Sequence, residues 1–350
     1  MYTQYDIEYE YVTCTKGYTF IIYSPNLFEN VNAKSSDSTS PYTEKNKEED
    51  EQQEEQQQDE QERDEQEQDE INNENIIVLF LHGLNGNSYQ FENVFYTLIH
   101  FNYKFISIDF YGHGNSSLLR NVNKFTEKLF IEQIYDVLKK NSYETLINLR
   151  KNYLLNKYMI TAHLSVDNKL KIKKYCLISA AGLAKPRHRF LHFLLKHNIR
   201  LCLRVAKRYS HLFVNEETFK NEYNDIHNNA YYSHNRCSIL KENHEKFIET
   251  FLKVLTGTKI QDSKKYYSAF LKKNSDVLFI YGRDDDVTPC AYTIKFLEKQ
   301  KKYLNNVKLI IFPECSHLVL TEKSYELAQH IIYFLQNKYI YNVERNSDDI

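Results

Sequence analysis

An alternation constrains this chain more than any other feature of its sequence. Four short, nearly continuous apolar segments, IIVLFLHG, KFISIDFYG, DVLFIYG and VKLIIFPE, are followed in turn by SYQFENVFYTLIHF, FTEKLFIEQIYDVLKK, AYTIKFLEKQKKYL and SYELAQHIIYFLQNKY, which have helical periodicity. A fifth apolar segment, YCLISAAG, opens another unit of the same kind. Strands that are apolar on both faces belong in a sheet covered on both sides, and strand–helix–strand succession makes that sheet parallel. The expected fold class is α/β, a doubly wound and mostly parallel sheet. Residues 5–24 add two short strands around a Lys16-Gly17 turn, a hairpin.

Two stretches interrupt the alternation. From 30 to 75 the chain becomes polar and then almost purely Glu, Gln and Asp, a composition that cannot bury enough apolar surface to offset ordering entropy. This predicts a disordered insertion; a long helix is the rival reading, but without an apolar stripe it would pack on nothing. From Leu183 to about Ser275 the sequence is helical in period with no clear strand, which predicts a helical cap. The expected divisions are therefore a hairpin at 1–29, the acidic insertion at 30–75, core at 76–183, cap at 184–275 and core again at 276–342.

Net charge is -2, yet Glu44 to Glu70 holds 15 acidic and 3 basic residues, which leaves about +10 for the remainder. That balance suits association with anionic ligands or lipid surfaces and says little about chemistry. Six cysteines show neither paired spacing nor a zinc-ligand pattern, so no metal is expected, and free thiols suit a reducing compartment. The opening MYTQYDIEYE has no basic or apolar leader character, and a cytoplasmic, soluble protein is the expectation.

Four pieces carry the chemistry. His82-Gly83-Leu84-Asn85-Gly86 follows an apolar strand, where glycine lets backbone N–H groups turn toward a substrate oxygen. The next strand ends in Asp109-Phe110-Tyr111-Gly112-His113-Gly114-Asn115-Ser116, which lacks the third glycine of a dinucleotide-binding turn; His113 reads as structural rather than catalytic. After DVLFIYG comes Arg283-Asp284-Asp285-Asp286, placing carboxylates at a strand's carboxyl end, where open α/β sheets collect ligand-binding and catalytic groups. Then Cys315-Ser316-His317 puts a histidine at the same edge.

In order and spacing these pieces resemble the α/β-hydrolase superfamily, particularly its esterase, lysophospholipase-like and monoglyceride-lipase-like members. The resemblance implies Asp285 as the acid of a catalytic triad, His317 as its base, and the backbone N–H of Leu84, with Asn85 beside it, as oxyanion donor. It implies hydrolysis of a carboxylic ester, a small-molecule or lipid one, without metal or organic cofactor and with no role for nucleic acid. The superfamily's nucleophile occupies a Gly-x-Ser-x-Gly elbow between a strand and a helix. No glycine lies between Asn115 and Ala181, so that elbow is absent.

Ser165 is the nearest serine, but aligning His163 with the elbow's usual histidine puts Leu164 where the nucleophile belongs. Met159 to Ser165 reads better as the helix that follows an elbow. On that reading ten to fifteen residues, holding the central strand, the serine and both glycines, are expected to be missing at Lys157-Tyr158. Either the sequence is incomplete or the variant has lost catalysis and survives as a binding protein. The first is favoured, because loss of a central parallel strand would leave apolar faces and backbone groups unpaired.

The cap holds one further pattern. In RHRFLHFLLKHNIRLCLRVAKRY, Lys196, Arg200, Arg204 and Arg208 recur every four residues on one helical face, while Leu191, Leu195, Cys202 and Val205 fall largely on another. A helix packed on the core by its apolar face is the simpler expectation; peripheral membrane contact through the cap is the sharper one.

Overall fold

The structure, a computed structural model, describes residues 7–25, 27, 77–140, 152–156, 160–167, 170, 172–183, 197–209, 243–258, 263–273 and 275–339. The acidic insertion and much of the expected cap lie outside these residues.

Eight strands form one sheet: β1 (Glu8–Thr13), β2 (Tyr18–Tyr23), β3 (Ile77–Leu81), β4 (Lys104–Ile108), β5 (Asn152–Asn156), β6 (Ile172–Ile178), β7 (Asp276–Gly282) and β8 (Val307–Phe312). Their spatial order is β1-β2-β4-β3-β5-β6-β7-β8. β1 pairs antiparallel with β2, and β2 with β4; every other neighbouring pair is parallel. The helices are α1 (Glu92–His100), α2 (Glu127–Lys140), α3 (Ile160–Asp167), α4 (Ile199–Arg208), α5 (His244–Gly257), α6 (Lys264–Leu271), α7 (Cys290–Glu298), α8 (Val319–Glu322) and α9 (Ser324–Leu335).

Side-chain alternation divides the core into two layers. Ile77, Leu79 and Leu81 of β3 join Ile106 and Ile108 of β4 and Val277, Phe279 and Tyr281 of β7 on one face, beneath α2, α3, α6 and α7. Val78, Phe80, Phe105, Leu278 and Ile280 point to the other, covered by α1 and α9. There Phe95 of α1 stacks on Phe105 at 4.4 Å and meets Phe80 edge-on at 5.0 Å. Burial on both faces explains why these strands are apolar throughout rather than alternating.

The expected absence of the central strand is corrected here. Asn152–Asn156 occupies the centre of the sheet, with Tyr153 to Asn156 aligned to Val78 to Leu81 of β3 on one side and to residues 174–177 of β6 on the other. The reading of Met159 to Ser165 as a helix agrees with α3, which begins at Ile160. Only Lys157, Tyr158 and Met159 join the two elements, and they lie outside the described residues.

The cap boundary also moves. Helix α6 falls within the expected cap at 184–275, yet Tyr267 and Phe270 are buried in the core, with Phe270 edge-on to Tyr175 of β6 at 4.5 Å. Tyr267 Oη donates to the Ala181 carbonyl at 2.6 Å, and the Ser263 amide donates to Gly182 at 2.7 Å. Helix α6, between β6 and β7, is thus a crossover helix of the sheet. Within the cap, α4 packs on α5, and α5 docks on the core through side chains spaced i, i+4, i+7. Lys246 donates to the Gly114 and Ser116 carbonyls at 2.7 and 3.0 Å, Thr250 to Gly112 at 3.0 Å and Lys253 to Leu119 at 2.7 Å. Glu249, buried between Lys207 of α4 and Lys253, ties the two cap helices together.

Candidate active site

Asp285 and His317 are brought together by the pairing of β7 and β8 continuing past the strand ends. The Arg283 amide donates to the Phe312 carbonyl at 2.9 Å, and the Asp284 amide donates to Cys315 at 3.0 Å. Gly282 permits this approach: a Cβ there would lie 2.2 Å from both the Cys315 and Ser316 carbonyl oxygens. His317 Nδ1 then sits 2.9 Å from Asp285 Oδ2 and 3.1 Å from Oδ1. A carboxylate only accepts, so Nδ1 carries the proton and Nε2 is left as the basic nitrogen.

The carboxylate is 2% exposed and well supplied with donors. Its Oδ1 accepts from the Val287 and Thr288 amides at 2.9 and 2.7 Å, and Thr288 Oγ1 lies 2.7 Å from Oδ2. Burial pushes the Asp285 pKa up, but the hydrogen bond and charge of His317 and the bonds from Thr288 outweigh it, so the carboxyl is held below its ordinary value. The pair can accept a proton at Nε2 and stabilise the resulting imidazolium, the acid–base half of a hydrolytic triad. Thr288, which the sequence did not single out, braces both partners, with its hydroxyl 3.2 Å from His317 Nδ1.

At the end of β3, His82 is fully buried and neutral. Desolvation lowers its pKa, against a raising influence from Asp109. Its Nδ1 donates to the Gly83 carbonyl at 2.7 Å, and Nε2 accepts from the Phe110 amide at 2.9 Å. Both nitrogens are spent on joining two loops, so His82 is structural. Leu84 and Asn85 follow in a turn closed by the Gly86 amide on the Gly83 carbonyl at 3.1 Å, with Asn85 in the left-handed region at φ 63°. Among the described residues neither the Leu84 nor the Asn85 amide has an acceptor, as an oxyanion donor requires.

Asp109, read from sequence only as part of a turn, is the clamp beneath these loops. Fully buried, it accepts from the Ser88 amide at 2.7 Å through Oδ1 and from the Asn115 amide at 2.9 Å through Oδ2. Gly114, at φ 44°, makes room: a Cβ there would stand 1.9 Å from Asp109 Oδ2. His113 is buried beside His82, ring centroids 4.9 Å apart, with Nδ1 3.1 Å from the Tyr111 carbonyl; its structural reading fits this packing. A cleft of about 260 Å³ opens between the two loops and α5, lined by Asn85, Asn87, His113, Asn115, Lys246 and Phe247 among others; neither Asp285 nor His317 lines it.

Ser165 is buried within α3, and its hydroxyl donates to the Ala162 carbonyl at 2.9 Å, the back-bond of a helical serine. Ser179, at φ 45° after β6, donates to the His317 backbone carbonyl at 3.1 Å rather than serving the ring. In register, the ends of β3, β5 and β6 form one row, Leu81 beside Asn156 beside Leu177. No serine or cysteine lies between Ser142 and Ser165. Among the described residues no group of three or more His, Cys, Asp or Glu is arranged to hold a metal ion, and no helix is long and apolar enough to cross a membrane.

The sheet order, with Asp285 after β7 and His317 after β8, agrees with a sequence match over residues 72–324 to the serine aminopeptidase S33 family, Hydrolase_4. The chain belongs to that family of α/β hydrolases. Among solved structures it is similar to a serine hydrolase from the polyaromatic-hydrocarbon-degrading bacterium Cycloclasticus zankles (TM-score 0.60, 14% identity, 95% of this chain and 99% of that one covered). It is similar also to a thermophilic esterase from Thermogutta terrifontis (0.58, 13%, 95% and 100%) and to a bacterial membrane phospholipase A described as a virulence factor (0.58, 14%, 95% and 86%). At these identities the likeness is one of fold. No curated protein matches by sequence.

Proposed function

We propose that this chain is an ester-hydrolase relative that binds a carboxylic ester, of acyl-glycerol or lysophospholipid type, and does not turn it over through an acyl-enzyme. The observation that carries this reading is the position of β5. With the central strand present and α3 starting four residues after its last residue, the five positions of a Gly-x-Ser-x-Gly elbow run from Asn156 to Ile160. By that count Asn156 and Ile160 stand at the glycine positions and Tyr158 at the serine position. The centre of the sheet, which a missing strand would leave unpaired, is paired on both sides by β5.

The Asp285–His317 pair and the unengaged Leu84 and Asn85 amides retain the parts that hold and polarise an ester carbonyl. By the same count the elbow position offers His317 no serine hydroxyl to deprotonate, only the bulkier phenol of Tyr158. Esterase and phospholipase relatives of the same fold support an ester, including a lipid ester, as the ligand class, and a lipid ester is met at a membrane surface.

The test is labelling with a fluorophosphonate probe, with p-nitrophenyl butyrate hydrolysis measured alongside. The chain is expected to ignore both, and the triple variant Asn156→Gly, Tyr158→Ser, Ile160→Gly to gain labelling that His317→Ala removes. Labelling of the unaltered protein that His317→Ala abolishes would show a working nucleophile elsewhere and overturn the reading.

A further inference from the structure

We propose that the outer face of α4 is a docking surface for an anionic phospholipid bilayer, independent of whether the cleft beneath is catalytic. At 3.6 residues per turn, Ile199, Cys202, Leu203 and Ala206 share one side of the helix, and these residues pack on Ile248 and Leu252 of α5. Val205, which the sequence grouped with Cys202, points the other way.

The opposite side carries two parallel rows. Arg200, Arg204 and Arg208 form one, all exposed. Leu201, Val205 and Tyr209 form the next, about 100° further round, and they are 58%, 50% and 47% exposed. Each row recurs at i, i+4, i+8, so both run the length of the helix, about 12 Å for eight residue steps.

Large apolar side chains at this exposure, beside cations, are not explained by packing. Among the described residues the three arginines make no ion pair, whereas Lys207, on the inward edge, is committed to Glu249. The outer face therefore presents three uncommitted guanidinium groups beside an apolar ridge.

An anionic bilayer is the surface that matches both rows at once. Its headgroup phosphates and carboxylates accept from guanidinium, and its acyl boundary, a few ångströms deeper, takes leucine, valine and the ring of tyrosine. A nucleic acid would satisfy the arginine row and leave the apolar row against water, so charge alone does not select it. Tyrosine at the end of the ridge suits an interface, with an apolar ring and a hydroxyl that stays wet. Lys196, one turn before Arg200 in sequence, lies outside the described residues and is not needed.

Cosedimentation of the full chain with vesicles of phosphatidylcholine and phosphatidylserine, against phosphatidylcholine alone, tests this. Binding is expected to the mixed vesicles and to fall with salt. Arg200→Gln with Arg204→Gln should weaken the partition by about thirtyfold, about fivefold for each cation removed. Leu201→Asn with Val205→Asn should weaken it by about tenfold, and Lys301→Gln with Lys302→Gln, remote on the β8 side, should leave it unchanged. All four α4 positions are exposed, so these variants are expected to fold, with circular dichroism as the check. No binding to the mixed vesicles at low salt would overturn the proposal. So would binding indifferent to both α4 pairs. Retained vesicle binding in the apolar pair, together with arginine-dependent binding to duplex oligonucleotide, would assign the face to a nucleic acid instead.

Discussion

Removing Glu249 should cost more than removing any exposed charge of α4. Its carboxylate is 5% exposed and meets Lys253 Nζ, itself 1% exposed, at 2.6 Å, with Lys207 of α4 on its other oxygen. Burial raises the Glu249 pKa, but the hydrogen bonds and charges of the two lysines prevail and hold it below its ordinary value, so the site is ionic at neutral pH. In Glu249→Ala the Lys253 ammonium keeps one acceptor, the Leu119 carbonyl at 2.7 Å, and the face of the Phe125 ring at 5.3 Å. An ammonium left buried without its counter-charge costs about 3–5 kcal/mol. With a denaturant slope of about 3 kcal/mol per molar urea, the unfolding midpoint should fall by roughly 1 M or more at pH 7. The double variant Glu249→Leu, Lys253→Leu removes both charges and leaves only the Leu119 carbonyl and the Lys207 ammonium, which reaches solvent, to be resatisfied. It should recover to within about 1–2 kcal/mol of the unaltered chain. A loss under about 1 kcal/mol in the single variant, or a double variant as unstable as the single one, would refute the reasoning from an uncompensated charge.

Gly114→Ala drives a methyl into the Asp109 carboxylate and strains a left-handed residue, so a loss of about 3 kcal/mol or more in urea melts is expected. Gly282→Ala should separate the acid loop from the base loop; loss of the downfield imidazole N–H resonance of His317 in proton NMR reports it, and Asp285→Asn should shift or abolish the same signal. Burial lowers the pKa of His113 well below its ordinary value, and that of His82 is lowered too. Such groups take up protons more readily unfolded, so stability is full above about pH 6.5 and falls as pH drops below it, by up to about 1.4 kcal/mol per pH unit for each histidine. Urea midpoints at pH 7.5, 6.5 and 5.5 should show that slope, and His113→Gln should reduce it.

How much of this was legible in the sequence depended on whether an element's character is local. β3, β4, β7 and β8 declare themselves by runs of buried aliphatic and aromatic residues, and Asp285 and His317 are visible because each stands just beyond such a run. β5 does not: NYLLN has three apolar residues between two asparagines, and its identity comes from β3 and β6 pairing on either side. Helix α6 has the same period as the cap helices before it, and only the contacts of Tyr267 and Phe270 place it against the sheet. Val205 and Cys202 are both apolar and three residues apart, and nothing in their spacing says that the cap turns one inward and the other outward. Asp109 and Thr288 were not legible as braces, because Ser88 lies 21 residues before Asp109 and His317 lies 29 after Thr288.

The clamp at Asp109 has a bearing on how such chains change over time. Its bonds to the Ser88 and Asn115 amides, like those of His82 to Gly83 and Phe110, are needed for the loops to close at all, whatever passes over them. Selection for a foldable protein is therefore enough to preserve the His-Gly and Gly-His-Gly signatures, whether or not the chain turns over a substrate.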